Sequence, residues 1–312
     1  MNLSTATFSG HESFPFRYTW LTKGVAACVS DPLIFHSKDA MVTLGVGKNM
    51  VESIRYWCLA TRVIEEVGNG RNGQAKAARP TVLGSCLFQA ERSWDPYLED
   101  AGSLWLLHWL LATHHEKATT IYYAFNEHNN PEIRRKDLQG ALAVVAAGIP
   151  NLRASQDTLR RDVEIFLRTY MGTRMVSEKT FEDSLDCPLI ELGLLYETGD
   201  SQYSFARGPK DTLPDAVFIY ALQEYAHSKP GNRTFRFEEL AYRSLGPGRV
   251  FKLDEAALAE RLDRLADLTN GAWQFSETAG LKQVLLIRDI DAMRLLDDYY
   301  RGHQSTLTRG GH

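Results

Sequence analysis

Ser37-Lys-Asp-Ala-Met-Val-Thr-Leu44, Gly45-Val-Gly47 and Lys48-Asn-Met-Val-Glu-Ser-Ile-Arg-Tyr-Trp-Cys58 decide how the first hundred residues are read. Ser37 can cap a short helix through Asp39, Ala40 and Leu44, and Gly45 and Gly47 break it. A second helix is expected from Lys48 to about Glu66, because Met50, Val51, Ile54, Trp57 and Cys58 recur at helical spacing. Helix, glycine turn, helix is the sequence form of a helix-turn-helix. Gly68-Asn-Gly-Arg-Asn-Gly-Gln-Ala-Lys-Ala-Ala-Arg79 then gives a polar tip with three cations, and Thr81-Val-Leu83 resumes an extended apolar run. A cationic hairpin after a second helix is the order of a winged helix, whose wing touches backbone phosphates while the helix enters a groove.

Outward from this stretch, helical periodicity dominates. Leu104-Trp-Leu-Leu-His-Trp-Leu-Leu111 is dense enough in apolar residues for a helix buried on most sides. Thr158–Tyr170 is amphipathic, with Leu159, Val163, Phe166 and Leu167 on one face and Arg160, Arg161, Asp162 and Arg168 elsewhere. Near the C-terminus a short helix from Phe237 stops at Gly246-Pro-Gly248, and Asp254 caps another through Leu258, Leu262 and Leu265. Trp273-Gln-Phe-Ser and Gln283-Val-Leu-Leu-Ile287 follow as two strands. The expected fold is therefore mainly α, with N-terminal and C-terminal winged-helix-like units and a helical middle region. The divisions fall at 1–90 (an aromatic arm plus a winged-helix-like DNA-binding unit), 91–232 (helical) and 233–312 (a second winged-helix-like unit and a polar tail). No strict repeat is visible; the two terminal units share order, not sequence.

Composition narrows the class. The chain has 312 residues, 44% hydrophobic and 24% charged, with a formal net charge of -4. That fits globular domains with real cores. It also means that any nucleic-acid contact needs a local basic face on an acidic protein. No apolar run is long enough for a membrane span, and no secretory leader is read, so a cytoplasmic location without membrane partners is expected. Cys28, Cys58, Cys86 and Cys187 sit far apart among apolar neighbours and read as reduced core thiols.

Candidate DNA contacts follow from the first unit. Lys48, Asn49, Ser53 and Arg55 line the polar side of its second helix, and Arg71, Lys76 and Arg79 mark the wing. Val42 and Asn49 stand where a phosphate loop needs Gly and Ser or Thr, so no bound nucleotide is expected. Candidate chemistry lies in Phe8-Ser-Gly-His-Glu-Ser-Phe-Pro-Phe-Arg17, where His11, Glu12 and Arg17 share an aromatic frame. His11 could act as base or metal ligand, Glu12 as metal ligand and Arg17 as phosphate clamp, provided the arm is irregular there. The acidic clusters Asp95–Asp100 and Glu182–Asp186 complete no nuclease motif and read as helix caps and solvated surface.

These stretches resemble the SspB-like family. The resemblance runs through Phe8–Trp20, Leu44–Val51, Ser53–Cys58, Asp95–Asp100, Leu104–His108, Leu159–Val163, Phe166–Tyr170, Pro188–Gly193, Leu213–Asp215 and Thr278–Leu281. It implies a strand-nicking component of a bacterial DNA phosphorothioate modification and phage-defence system. Its partners would be DNA, a cysteine desulfurase, an ATPase and an ATP-pyrophosphatase-like sulfur-transfer protein. Two readings stay open: a DNA-nicking endonuclease using Mg2+ or Mn2+, and a non-catalytic DNA-binding scaffold that positions the sulfur-transfer enzymes. A homodimer stays open.

Overall fold

In a computed structural model, residues 4–68, 75–89, 93–171, 187–199 and 201–309 are described, the last seven by backbone alone. The chain divides into two compact units, Met1–Ala124 with His128–Phe205, and Phe125–Glu127 with Ala206–His312. Among the described residues, no helix is long and apolar enough to cross a membrane.

The first unit opens with α1 (Trp20–Ser30), α2 (Ala40–Leu44) and α3 (Lys48–Ala60), then the antiparallel pair β1 (Ile64–Val67) and β2 (Ala77–Pro80). Helix, turn, helix and hairpin thus follow in the expected order. Gly45 ends α2 in the left-handed region at φ 65°, and the Val46 N–H closes back on the Met41 carbonyl at 3.1 Å. The helix from Lys48 is shorter than its periodicity implied. It stops at Ala60 because Arg62 turns left-handed at φ 56° and the Val63 N–H bonds the Cys58 carbonyl at 3.0 Å. Val63 is thereby swung into the core and residues 64–67 are released as a strand. Thr81 then caps α4 (Val82–Phe88) by accepting from the Gly84 N–H at 3.0 Å.

α5 (Ala101–Ala112) is buried from Gly102 to Ala112, as its apolar density required. Each fully buried Leu or Trp there stabilises the unit by roughly 1.5–3 kcal/mol before entropy is subtracted. α6 (Thr119–Asn126) leads to β3 (Glu132–Arg134), α7 (Arg135–Ala147), α8 (Gln156–Tyr170), a 3-10 turn at Pro188–Leu192, and the hairpin β4 (Leu195–Gly199) and β5 (Gln202–Phe205). The middle region is therefore not purely helical. It holds a three-stranded antiparallel sheet of order β3-β5-β4.

The second unit runs through α9 (Asp215–His227), β6 (Thr234–Arg236), α10 (Phe237–Tyr242), α11 (Pro247–Val250), α12 (Glu255–Asp263), α13 (Leu265–Leu268), β7 (Trp273–Thr278), β8 (Leu281–Leu286) and α14 (Ala292–Arg309). Its sheet has the order β6-β8-β7. The middle region and this unit thus use one plan: helix, strand, helices, then a hairpin whose second strand pairs with the first. The registers agree in detail. Ile133 faces Tyr203 and Phe235 faces Val284, all buried, and the next pairs are Arg134 with Gln202 and Arg236 with Gln283. The longer helices that precede the two hairpins, α8 and α12, are capped alike. Ser155 Oγ accepts from the Thr158 N–H at 3.1 Å and Asp254 Oδ1 from the Ala257 N–H at 2.8 Å, with buried Leu159 and Leu258 following.

Candidate functional site

The aromatic arm is irregular, as the candidate chemistry required. Ser9, Glu12 and Ser13 have φ of 63°, 47° and 65°, and the Glu12 and Phe14 N–H groups close short turns on Ser9 and His11. Left-handed backbone at three non-glycine residues persists only where the surroundings fix it. Here they do. The Thr7 N–H donates to Thr119 Oγ1 at 2.9 Å, Trp57 Nε1 donates to the Phe14 carbonyl at 3.1 Å, and Ser53 Oγ donates to the His11 carbonyl at 2.9 Å.

His11 is buried and sits 2.9 Å from Asp162 through Nε2. Its other ring nitrogen, Nδ1, accepts from the Ser13 N–H at 3.1 Å, so Nε2 carries the proton and donates to Asp162 Oδ1. Asp162 Oδ1 also accepts from the Ser9 N–H at 2.8 Å, and Oδ2 accepts from Thr120 Oγ1 at 3.3 Å. Tyr56 meets the imidazole edge-on at 5.8 Å between centroids and Trp57 stacks beside it at 6.5 Å. Burial, with the Asp162 carboxylate adding to it, pushes the Tyr56 hydroxyl pKa up. The cavity beside the pair, of about 10 Å³, has no room for a substrate.

This geometry separates the three candidates for chemistry. His11 has no ring nitrogen left for a metal or a transferred proton. Glu12 is exposed while His11 is buried, so the two neighbours face different surroundings. Arg17 lies over the Trp20 ring, 5.5 Å from its centroid. The sequence had not paired His11 with Asp162, 151 residues away. Asp162 stood as a polar position of its helix, but it is buried, on the Leu159 side.

A hard divalent cation wants several carboxylate or carbonyl oxygens with free lone pairs. Asp162 offers one carboxylate already accepting three hydrogen bonds, so the pair does not fit Mg2+. Among the described residues, no group of three His, Cys, Asp or Glu could hold a metal ion. The Asp95 carboxylate is likewise engaged by the Glu99 and Asp100 N–H groups at 2.9 and 3.0 Å, and Asp100 caps α5 through the Gly102 N–H at 2.7 Å. The cluster Glu182–Asp186 lies outside the described residues.

The candidate DNA contacts divide too. Lys48 and Asn49 are exposed at the start of α3, where Gly47 supplies no side-chain cap, so the first-turn N–H groups are not taken by one. Ser53 is corrected: it is fully buried, bonded to the arm, and cannot reach DNA. Arg55 pairs with Glu66 and lies 3.9 Å from Glu52; Lys76 pairs with Glu66 at 3.2 Å, and Arg79 with Glu65 at 2.8 Å. The Lys76 hydrogen bond, together with the Arg55 charge, holds the Glu66 carboxyl below the usual range despite its burial. Three of the candidate cations thus stand beside three carboxylates, a weaker positive face than the cations alone implied. Arg71 lies outside the described residues.

The family described as "Protein of unknown function (DUF4007)" matches residues 8–300. Two solved structures are similar over almost the whole chain. A magnesium ion-bound SspB crystal structure has a TM-score of 0.84 and 30% sequence identity, covering 95% of this chain and 88% of that one. An SspB crystal structure has a TM-score of 0.83 and 31% identity, covering 96% and 89%. No curated protein sequence matches the chain.

Proposed function

The chain belongs to the DUF4007 family and is an SspB-like protein, and on that premise we propose that it acts on DNA in an Ssp phosphorothioation system and nicks one strand there. The observation that carries this reading is the likeness to SspB across 95% of the chain at 30% identity. The sequence resemblance supplies the activity. The α2–α3–hairpin order supports a winged-helix mode of holding duplex DNA. In that mode Lys48 and the exposed amides of α3 meet phosphate, Asn49 faces base edges, and Arg55, Arg71, Lys76 and Arg79 flank the groove. Exchanging Glu65 for phosphate costs Arg79 little, because ion pairs this exposed are worth about 0–1 kcal/mol. The resemblance also assigns the partners: a cysteine desulfurase, an ATPase and an ATP-pyrophosphatase-like protein, in the cytoplasm.

The magnesium bound by one relative makes Mg2+ the cation of choice for the nicking reading. The donors at His11 and Asp162 do not fit it, because the Asp162 carboxylate already accepts three hydrogen bonds. That donor set favours a second reading, a non-catalytic DNA-binding scaffold that positions the sulfur-transfer enzymes. Incubating the full chain with supercoiled plasmid, with Mg2+, with Mn2+ and with a chelator, separates them. Conversion to open circles supports nicking. Plasmid that is retarded in a gel yet stays supercoiled under every condition supports the scaffold.

A further inference from the structure

The two regions that share a plan differ in charge. At about 100° per residue, Asp157, Arg160, Arg161, Glu164 and Arg168 fall within one arc of α8, opposite Leu159, Val163 and Phe166. Arg135 at the start of α7 reaches this face, its Nη1 2.8 Å from Glu164 Oε2. Arg153, exposed two residues before the cap, forms no ion pair with any described residue. Five cations thus stand against two carboxylates. On α12, the equivalent helix of the second unit, Glu255, Glu260 and Asp263 are exposed, and exposed Arg264 pairs with Glu260 at 3.3 Å.

We propose that the exposed face of α8, with Arg160 and Arg161 on it and Arg153 just before its N-terminal cap, binds the sugar-phosphate backbone of duplex DNA. The acidic face of α12 does not. The proposal rests on the reading that the chain acts on DNA, and it adds a contact surface separate from α3 and its hairpin. Charge complementarity selects the occupant. A face with three more cations than carboxylates attracts phosphate and gains by releasing the counterions around DNA. The arginines are available for it. Arg160 is held only by Asp157, at 3.5 Å on an exposed helix surface, where such pairs are weak. The plan supports the placement, since α8 occupies the position before the hairpin from which helix-turn-helix proteins present a helix to DNA.

The test is fluorescence anisotropy of a labelled duplex of about 25 base pairs, titrated with the full chain over a range of salt concentrations. The triple variant Arg153→Ala, Arg160→Ala, Arg161→Ala is compared with the wild type and with Glu260→Gln. The triple variant is expected to bind roughly tenfold or more weakly, with the slope of log K against log salt reduced by about 2 to 3. Glu260→Gln should bind no more weakly than the wild type. Should the triple variant melt early, Arg153→Gln with Arg161→Gln makes the same comparison. Wild-type affinity and slope in a folded variant overturn the α8 contact alone. A wild-type chain that binds no duplex overturns the DNA reading and this contact with it.

Discussion

The Nε2–H of His11 donates to Asp162 at 2.9 Å while Nδ1 accepts from the Ser13 amide, so one nitrogen of the imidazole ties the N-terminal arm to α8 and the other braces the arm's own turn. Removing it leaves a buried carboxylate short of a donor, which costs about 1–3 kcal/mol and more where the group is charged. His11→Ala should therefore lower the thermal midpoint measurably. Asp162→Asn, which keeps an acceptor for Nε2–H, should lower it less. Calorimetry on both variants checks this; a His11→Ala protein as stable as the wild type would mean that the pair does not hold the arm.

Gly84 is the second structural test. A methyl group at its Cα would lie 1.9 Å from the Val63 carbonyl oxygen, a backbone atom that cannot swing away. In an open helix Gly→Ala stabilises by up to about 1 kcal/mol. Here Gly84→Ala should instead destabilise, by roughly 1–3 kcal/mol as overpacking does. A higher urea midpoint for the variant would show that α4 and the Val63 turn are not packed this closely.

His114 supplies a pH dependence. Burial pushes its imidazole down to about 4, with the Arg62 and Lys117 charges adding to the effect, while Nδ1 donates to the Ala60 carbonyl at 2.9 Å. The unfolded chain binds this proton near pH 6.5 and the folded chain only near 4. Its contribution is complete above about 6.5 and is lost as pH falls towards 4. Unfolding free energies measured from pH 7 to 4 should fall less steeply for His114→Gln than for the wild type. Parallel curves would contradict the burial of this group.

The hairpin cations give a binding prediction. Lys76→Ala with Arg79→Ala removes two positive charges but also frees Glu65 from its ion pair and leaves Glu66 paired with Arg55 alone. Duplex affinity should fall for all sequences alike, and the salt slope should shrink by about 2. Asn49→Ala should instead change the preference among sequences. Unaltered gel-shift affinity in the folded double variant would remove the hairpin from the interface.

Local signals carried much of this fold. Gly45 and Gly47 marked the turn between α2 and α3, Asp254 marked the start of α12, and Leu104–Leu111 announced a buried helix. What escaped were features that only tertiary packing decides. The end of α3 depends on a left-handed arginine, Arg62, for which the sequence carries no glycine or asparagine as a warning. β3 has three residues and pairs with a strand some seventy positions later, too short and too distant for an alternation pattern to show. At the site, the composition of the arm pointed to His11, but its partner lies on a helix whose polar residues read as surface. A finer helical projection would have set Asp162 among Leu159, Val163 and Phe166. The ion pairs that blunt the hairpin's charge were invisible because Glu65 and Glu66 were read as the end of a helix.

The claim common to both readings is that the chain holds duplex DNA through its cationic faces, and the salt dependence of wild-type binding tests it most directly. Equilibrium titrations at several salt concentrations should give a straight, steeply falling plot of log K against log salt, with a slope of about -3 or steeper. No measurable binding to duplex at low salt, or an affinity indifferent to salt, would contradict it.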